Sequence, residues 1–188
     1  MVDPDYNFIQ DKFSPNRDSR WTHNWYAHQF FEKPIFDGVL MSKTVIKPSV
    51  EKLITKAGGI HGFLSLDLST PVLGDCGAYS YHKHEEPPYT TTEILDYYQT
   101  LGFTHGVSID HVIFGSFDPD EQKRRWNITL RNAEDFIEQH RKGDYSFTPV
   151  GIAQGTSPER YAEAVHQLVA MGYDHLALGG LARSGDRT

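Results

Sequence analysis

The sequence FTPVGIAQGTSPERYAEAVHQLVAMGYDHLALGG, residues 147–180, holds two apolar, strand-like runs separated by an amphipathic helix pattern. Ser157 followed by Pro158 is a typical helix start, and Gly172 a typical helix end. The apolar positions between them follow helical spacing: Tyr161, Ala164, Val165, Leu168 and Val169. A strand, a helix and a strand joined by short connections predict two parallel strands with a helix packed on the sheet.

The same alternation extends toward the amino terminus. Further strand-like runs are FDGVLMS (36–42), HGFLSLD (61–67), TPVLGD (70–75) and HGVSIDHVIFG (105–115), with helix starts predicted at Ser49, Thr90 and Asp118. A doubly wound sheet and a TIM (β/α)₈-type barrel both fit, and polar residues at the end of strand after strand favour the α/β barrel. Roughly five of eight βα units are present, so we expect an incomplete barrel that a second chain, a second copy or further residues would complete.

Composition predicts one soluble domain. The chain has 188 residues, 38% of them hydrophobic, and a formal net charge of −7. Residues 1–33 are predicted to form an aromatic-rich arm and residues 34–188 the βα units. The only cysteine, Cys76, excludes an internal disulfide, and no membrane-spanning run or signal peptide is evident. We therefore expect a cytoplasmic protein that binds no membrane.

Two carboxylates stand at strand ends. Asp75 follows VLG and precedes a glycine, where a partly desolvated carboxylate can act as general acid or base; the alternative is a turn or helix-cap aspartate. Asp110 follows VSI inside a strand pattern, and a buried aspartate needs a partner. Adjacent N–H donors, such as those on the Watson–Crick edge of guanine, would satisfy it, and a salt bridge to a nearby Arg or His is the alternative.

Amides and glycines end the last two strands. Gln154 offers both a donor and an acceptor, although it could instead bond main chain within its loop. Gly179 and Gly180 can present backbone N–H groups to a ligand carbonyl, or simply form a turn. His82 and His84 lie beside two glutamates, but a metal site is disfavoured because no cysteine cluster accompanies them.

A short basic run is the remaining candidate for binding. Its members are Lys123, Arg124, Arg125 and Arg131. These residues could contact nucleic-acid phosphates, whereas the alternative is a solvated helix face.

At these residues the chain resembles the tRNA-guanine transglycosylase superfamily of (β/α)₈ base-exchange enzymes. GDCGAYS (74–80) corresponds to the family's SDSGG(F/Y)Q motif, residues 153–155 to its VQGG motif, and GGLA (179–182) is identical. DPDYNFI, IFDGVLMS and DCGAYSY are closer to the DpdA-type branch, whose members insert 7-deazaguanines into DNA. Cys76, Ala78, Ser80 and Thr156 depart from the family motifs.

The resemblance implies a role for each matching residue. Asp75 would be the acid/base, Tyr79 would stack on the base, and Asp110 would accept from its N1 and N2 donors. Gln154 would contact the base edge, and the Gly180 N–H would bind O6. The carbonyl of Leu181 would accept from the exocyclic amine. The family's aspartate nucleophile and its zinc site lie further along than residue 188, so no metal or other cofactor is expected in this chain.

The sequence thus predicts a pentosyltransferase that replaces guanine by a 7-deazaguanine in DNA or tRNA. This chain would carry base recognition and the acid/base, and would be inactive without the nucleophile. The alternative is a non-catalytic base-binding or scaffolding subunit that pairs with an active transglycosylase.

Overall fold

A computed structural model describes residues 6–7, 12–13, 26–32 and 35–181. Most of the predicted arm, including its boundary at residues 33–34, lies outside these ranges. Within them, β1 (Tyr6–Asn7) and β2 (Lys12–Phe13) pair antiparallel. The buried Tyr26 donates its hydroxyl to the Phe63 carbonyl at 2.7 Å, so the end of the arm packs against the βα units.

Five parallel strands form the sheet. They are β3 (Val39–Ser42), β4 (Val72–Asp75), β5 (His105–Val107), β6 (Thr148–Ala153) and β7 (His175–Leu178). Each strand pairs with the next one in the chain, in the order β3-β4-β5-β6-β7. A doubly wound sheet would reverse direction at a switch point, whereas a barrel adds strands in chain order. The predicted α/β fold with five units of a TIM-type barrel is therefore confirmed.

Helices connect the strands, and several begin at the predicted caps. They are α1 (Pro48–Lys56), α2 (Ile60–Leu64), α3 (Thr91–Leu101), α4 (Pro119–Lys142) and α5 (Pro158–Met171). Thr90 forms a capping box with Glu93, and the Asp118 and Ser157 side chains each accept a first-turn backbone N–H. Across the described ranges, no helix combines the length and apolarity needed to cross a bilayer.

Three sequence expectations were wrong. The run at 61–67 is mostly the short helix α2, because β3 pairs directly with β4 and leaves no place for a strand between them. Ser49 does not cap α1, which begins one residue earlier with Pro48 in its first turn. The strand predicted at 105–115 pairs only over its first three residues, and residues 108–113 continue as a buried connection.

Two glycines on neighbouring strands set the distance between α3 and the sheet. Gly74 of β4 pairs in register with Gly106 of β5. A Cβ atom at either position would overlap the ring of the fully buried Tyr98. The Tyr98 hydroxyl then donates to the Val107 carbonyl at 3.2 Å, which ties α3 to the carboxyl end of β5, where the polar residues begin.

Candidate functional site

The carboxyl ends of all five parallel strands open into one cleft of about 480 Å³. We call it the central cleft and define it by Ser42, Asp75, Tyr79, Asp110, Gln154 and Gly180. Because parallel strands end at the same edge, residues that are distant in sequence meet there. The structure thus brings together the predicted acid, the predicted base contacts and one residue that the sequence reasoning missed, Ser42.

Asp110 is the most deeply placed carboxylate in the central cleft. Its side chain is 2% exposed, and its Oδ2 accepts a hydrogen bond from Gln154 Nε2 at 2.5 Å. Burial raises the pKa of the Asp110 carboxyl from 3.8 to about 7, and the nearby Asp75 charge adds to this while the Gln154 hydrogen bond opposes it. The alternative of a salt bridge is not what the structure shows, since Arg125 bonds to the neighbouring His111 instead.

Two acceptor atoms at the bottom of the cleft lack a partner. Within the part of the chain that the structure describes, Asp110 Oδ1 and Gln154 Oε1 are buried and make no hydrogen bond. Leaving such atoms unpaired costs about 1–3 kcal/mol each. A ligand that brings N–H donors to this point would remove that cost, so the cleft has the chemistry to bind a donor edge.

Packing from outside the cleft fixes the position of Asp110. The Tyr81 hydroxyl donates to the Asp110 carbonyl at 3.0 Å. The backbone N–H of His111 donates to Thr129 Oγ1 at 3.0 Å, and Arg125 Nη1 lies 2.9 Å from His111 Nδ1. Burial, with the Arg125 charge, lowers the pKa of His111. A neutral ring can then accept from Arg125 and donate to the His84 carbonyl.

Asp75 ends β4 directly opposite Ser42 of β3. Its Oδ2 accepts from the Gly77 N–H at 3.0 Å, and its carboxylate also accepts from the Ser42 hydroxyl. Burial is the larger influence and raises the pKa of Asp75 above its ordinary value, against the lowering effect of these hydrogen bonds. A half-buried carboxylate with a raised pKa holds a proton more readily than an ordinary aspartate, which suits it to acting as general acid or base.

Gly77 leaves room for the hydroxyl groups of Ser42, at the end of β3, and of Thr44. It has a φ of +76°, and a Cβ atom there would lie 2.5 Å from Ser42 Oγ and overlap Thr44 as well. The Ser42 and Thr44 hydroxyls are themselves 3.1 Å apart. The sequence signal for Ser42 was its place at the end of an apolar strand, the same signal that identified Asp75.

The remaining predicted residues lie at the rim. Tyr79 is 47% exposed and stacks on His82, with ring centroids 5.1 Å apart. The Gly179 N–H donates to the Ala153 carbonyl at 2.9 Å, so this amide is not available to a ligand and Gly180 remains the predicted donor. Leu181 follows Gly180 and is half-exposed; its contact with the base stays a prediction.

Two other kinds of chemistry were considered from the sequence, a cysteine nucleophile and a metal site. Cys76 is fully buried, with Sγ 3.4 Å from the Tyr98 hydroxyl, and burial raises the pKa of its thiol. The side chain is therefore a packed thiol and not an activated nucleophile. Among the described residues, no group of three or more His, Cys, Asp or Glu side chains is arranged to hold a metal ion.

Most of the predicted basic run is already engaged within the protein. Arg124 and Arg125 both bond to Glu121, at 2.7 and 2.5 Å, and Arg131 pairs with Glu86 at 2.9 Å. Arg125 is 5% exposed, so the expectation that it contacts phosphates was wrong. Its charge is buried because Glu121, His111 and the Val112 carbonyl satisfy its donors.

Sequence comparison identifies the family of the chain. The family model described as queuine tRNA-ribosyltransferase matches residues 36–188. The chain belongs to this family. It is also similar to a DNA-guanine transglycosylase of Salmonella montevideo, with 34% identity over 199 aligned positions. That alignment covers 96% of this chain but 47% of the relative, so the chain spans about half the length of the curated relative it matches.

Proposed function

We propose that this chain forms the base-recognition and acid/base half of a transglycosylase that exchanges guanine in DNA for a 7-deazaguanine. The observation that carries the proposal is the pair of buried, unpartnered acceptors, Asp110 Oδ1 and Gln154 Oε1, beside Asp75 in one cleft. The name of the Salmonella relative favours DNA over tRNA as the nucleic acid.

In this proposal the base is taken out of the helix and lies flat in the central cleft. The Asp110 carboxylate accepts from N1–H and the exocyclic amine, the Gly180 N–H donates to O6, and Tyr79 stacks on the ring. Because the pKa of Asp110 is about 7 without ligand, binding draws the carboxyl to its ionised form, which is the form that accepts both donors.

Asp75 acts as the general acid and then as the general base of the exchange. The N9–C1′ bond of guanine breaks as Asp75 gives its proton to the leaving base. In the second step N9 of the incoming base bonds to C1′ as the bond between C1′ and the nucleophile that displaced guanine breaks, and Asp75 takes the N9 proton, so the exchange consumes no net proton. The described residues place only Asp75 and Asp110 as carboxylates in the cleft. We therefore propose that the nucleophile at C1′ comes from outside these residues.

Two measurements test this function. Calorimetry should show guanine binding to the chain alone. Radiolabelled guanine should enter DNA when the carboxyl-terminal half of the Salmonella relative is added, and Asp75→Asn should remove this incorporation while leaving guanine binding in place. A chain that binds no guanine would overturn the proposal. Binding without incorporation, under conditions where the intact relative is active, would support the alternative of a non-catalytic base-binding subunit.

A further inference from the structure

A second, smaller cleft opens beside the central cleft at the same edge of the sheet. It measures about 120 Å³, and we call it the side cleft, defined by Ile113, Lys123, Trp126, Gly155, Thr156 and Arg160. Two of these residues are chain neighbours of central-cleft residues: Ile113 precedes Phe114, and Gly155 follows Gln154. The two clefts are therefore formed by the same two connections of the chain.

The two clefts carry opposite charges. Among the residues that the structure describes, the central cleft is lined by two carboxylates and no lysine or arginine, whereas the side cleft is lined by Lys123 and Arg160 and no acid. The chain as a whole has a formal net charge of −7. A nucleic acid whose base enters the acidic central cleft needs cations nearby for its phosphates, and the side cleft supplies them.

The donors of the side cleft are only partly used. Trp126 Nε1 is buried and, within the described residues, makes no hydrogen bond. The Arg160 guanidinium lies 5.5 Å from the centre of the Trp126 ring, and its Nη1 pairs with Glu163 at 2.8 Å. Because that ion pair is half-exposed on one helix it is weak, and guanidinium has five N–H donors, so Arg160 keeps donors for another acceptor.

The size of the side cleft restricts what it can hold. Its volume of about 120 Å³ is well below the roughly 300–1,000 Å³ of pockets that enclose drug-sized ligands. A phosphate group fits this volume, whereas a nucleotide does not. The hydroxyl of Thr156 already donates to Gln122 Oε1 at 3.1 Å, which leaves the side chains of Lys123 and Arg160 as the charged donors that line the side cleft.

We propose that the side cleft binds a backbone phosphate of the nucleic acid, next to the nucleotide whose base occupies the central cleft. The inference rests on the proposed function and adds a named phosphate contact to it. Of the basic run predicted from the sequence, only Lys123 takes part, and it is joined by Arg160 from α5. Phosphate contacts of this kind fix the position of the strand without reading its sequence.

Salt-dependent binding of a labelled oligonucleotide tests the proposal. Anisotropy of a fluorescein-labelled, 12-nucleotide single-stranded DNA containing guanine would be measured between about 50 and 200 mM salt, the range over which phosphate contacts change affinity strongly. Lys123→Ala and Arg160→Ala should each reduce the slope of log K against log salt, and the double variant should reduce it by about 0.7, the value for one phosphate contact on a single strand. Lys142→Ala removes the same charge at the far end of α4 and should leave the slope unchanged.

The salt slopes and a titration with inorganic phosphate test the side-cleft assignment. Equal slopes for all proteins, or an equal loss in the Lys142→Ala control, would overturn the side-cleft assignment. Inorganic phosphate that binds and is lost in Lys123→Ala, with an unchanged DNA slope, would overturn it in favour of a free-phosphate site. Guanine binding by the unaltered protein is measured in parallel. Its absence would refute the proposed function, whereas the slopes test the side cleft independently.

Discussion

Replacing Asp110 by asparagine is expected to make the protein more stable and unable to bind guanine. Asparagine keeps the shape of the side chain and an acceptor for Gln154, but it carries no charge. The carboxyl of Asp110 is 2% exposed, and burial raises its pKa from 3.8 to about 7. The charged form is thus disfavoured by the fold, and the substitution removes that penalty.

The pH dependence gives the expected magnitude. The pKa of Asp110 is higher in the folded protein than in the unfolded chain. The contribution of Asp110 to stability is therefore complete below pH 3.8 and is lost as the pH rises through about 7. At about 1.4 kcal/mol for each pH unit, the full loss is about 4 kcal/mol. At pH 5.5 about 2 kcal/mol of this is already lost, so the advantage of Asp110→Asn should grow by about 2 kcal/mol between pH 5.5 and 8.5.

Urea unfolding followed by tryptophan fluorescence measures this difference. The protein and its Asp110→Asn variant would be compared at pH 5.5, 7 and 8.5, with Asp144→Asn as a control that makes the same chemical change at an exposed position. A gain in unfolding free energy that is the same at every pH, or no gain at pH 8.5, would refute the reasoning that burial in the folded protein disfavours the ionised form of Asp110.

Three further predictions concern the central cleft. Guanine affinity should fall about thirtyfold from pH 8 to 5.5 by calorimetry, because the base needs ionised Asp110 and the pKa is about 7. In the native protein the Ser42 hydrogen bond lowers the pKa of Asp75. Ser42→Ala removes this bond and should move the titration midpoint of Asp75, followed by carbon-13 NMR, to higher pH, and Ser42→Thr should restore the original midpoint. Gly179→Ala should weaken guanine binding at least tenfold, because the new Cβ would overlap Gln154 Nε2.

Each of these three predictions has a result that would contradict it. A guanine affinity that stays constant with pH would show that the charge of Asp110 takes no part in binding. An Asp75 midpoint that moves equally in the Ala and Thr variants of Ser42 would indicate general disturbance and not a lost hydrogen bond. Gly115→Ala is the match for Gly179→Ala, since its Cβ would meet nothing within 4 Å; equal losses in both would contradict the role of Gln154.

Local chemistry determined where most elements begin and end. Thr90, Asp118 and Ser157 each bond to a backbone N–H three residues ahead, and Gly102 ends α3 with a positive φ. Such contacts depend on a few neighbouring residues, so a sequence pattern is enough to predict them. The pattern also placed Asp75 and Gln154 at strand ends, and parallel strands must bring those ends to one edge.

Tertiary structure alone decided which of these residues touch and which charges are buried. The Asp110–Gln154 bond joins residues 44 positions apart, and the Ser42–Asp75 pair depends on the register of β3 on β4. Arg125 was predicted to face solvent or phosphate, yet packing buries it because Glu121 and His111 satisfy its donors. Contacts of this kind follow from strand register and side-chain packing, which no local pattern specifies, and they are what turn separate polar residues into a site.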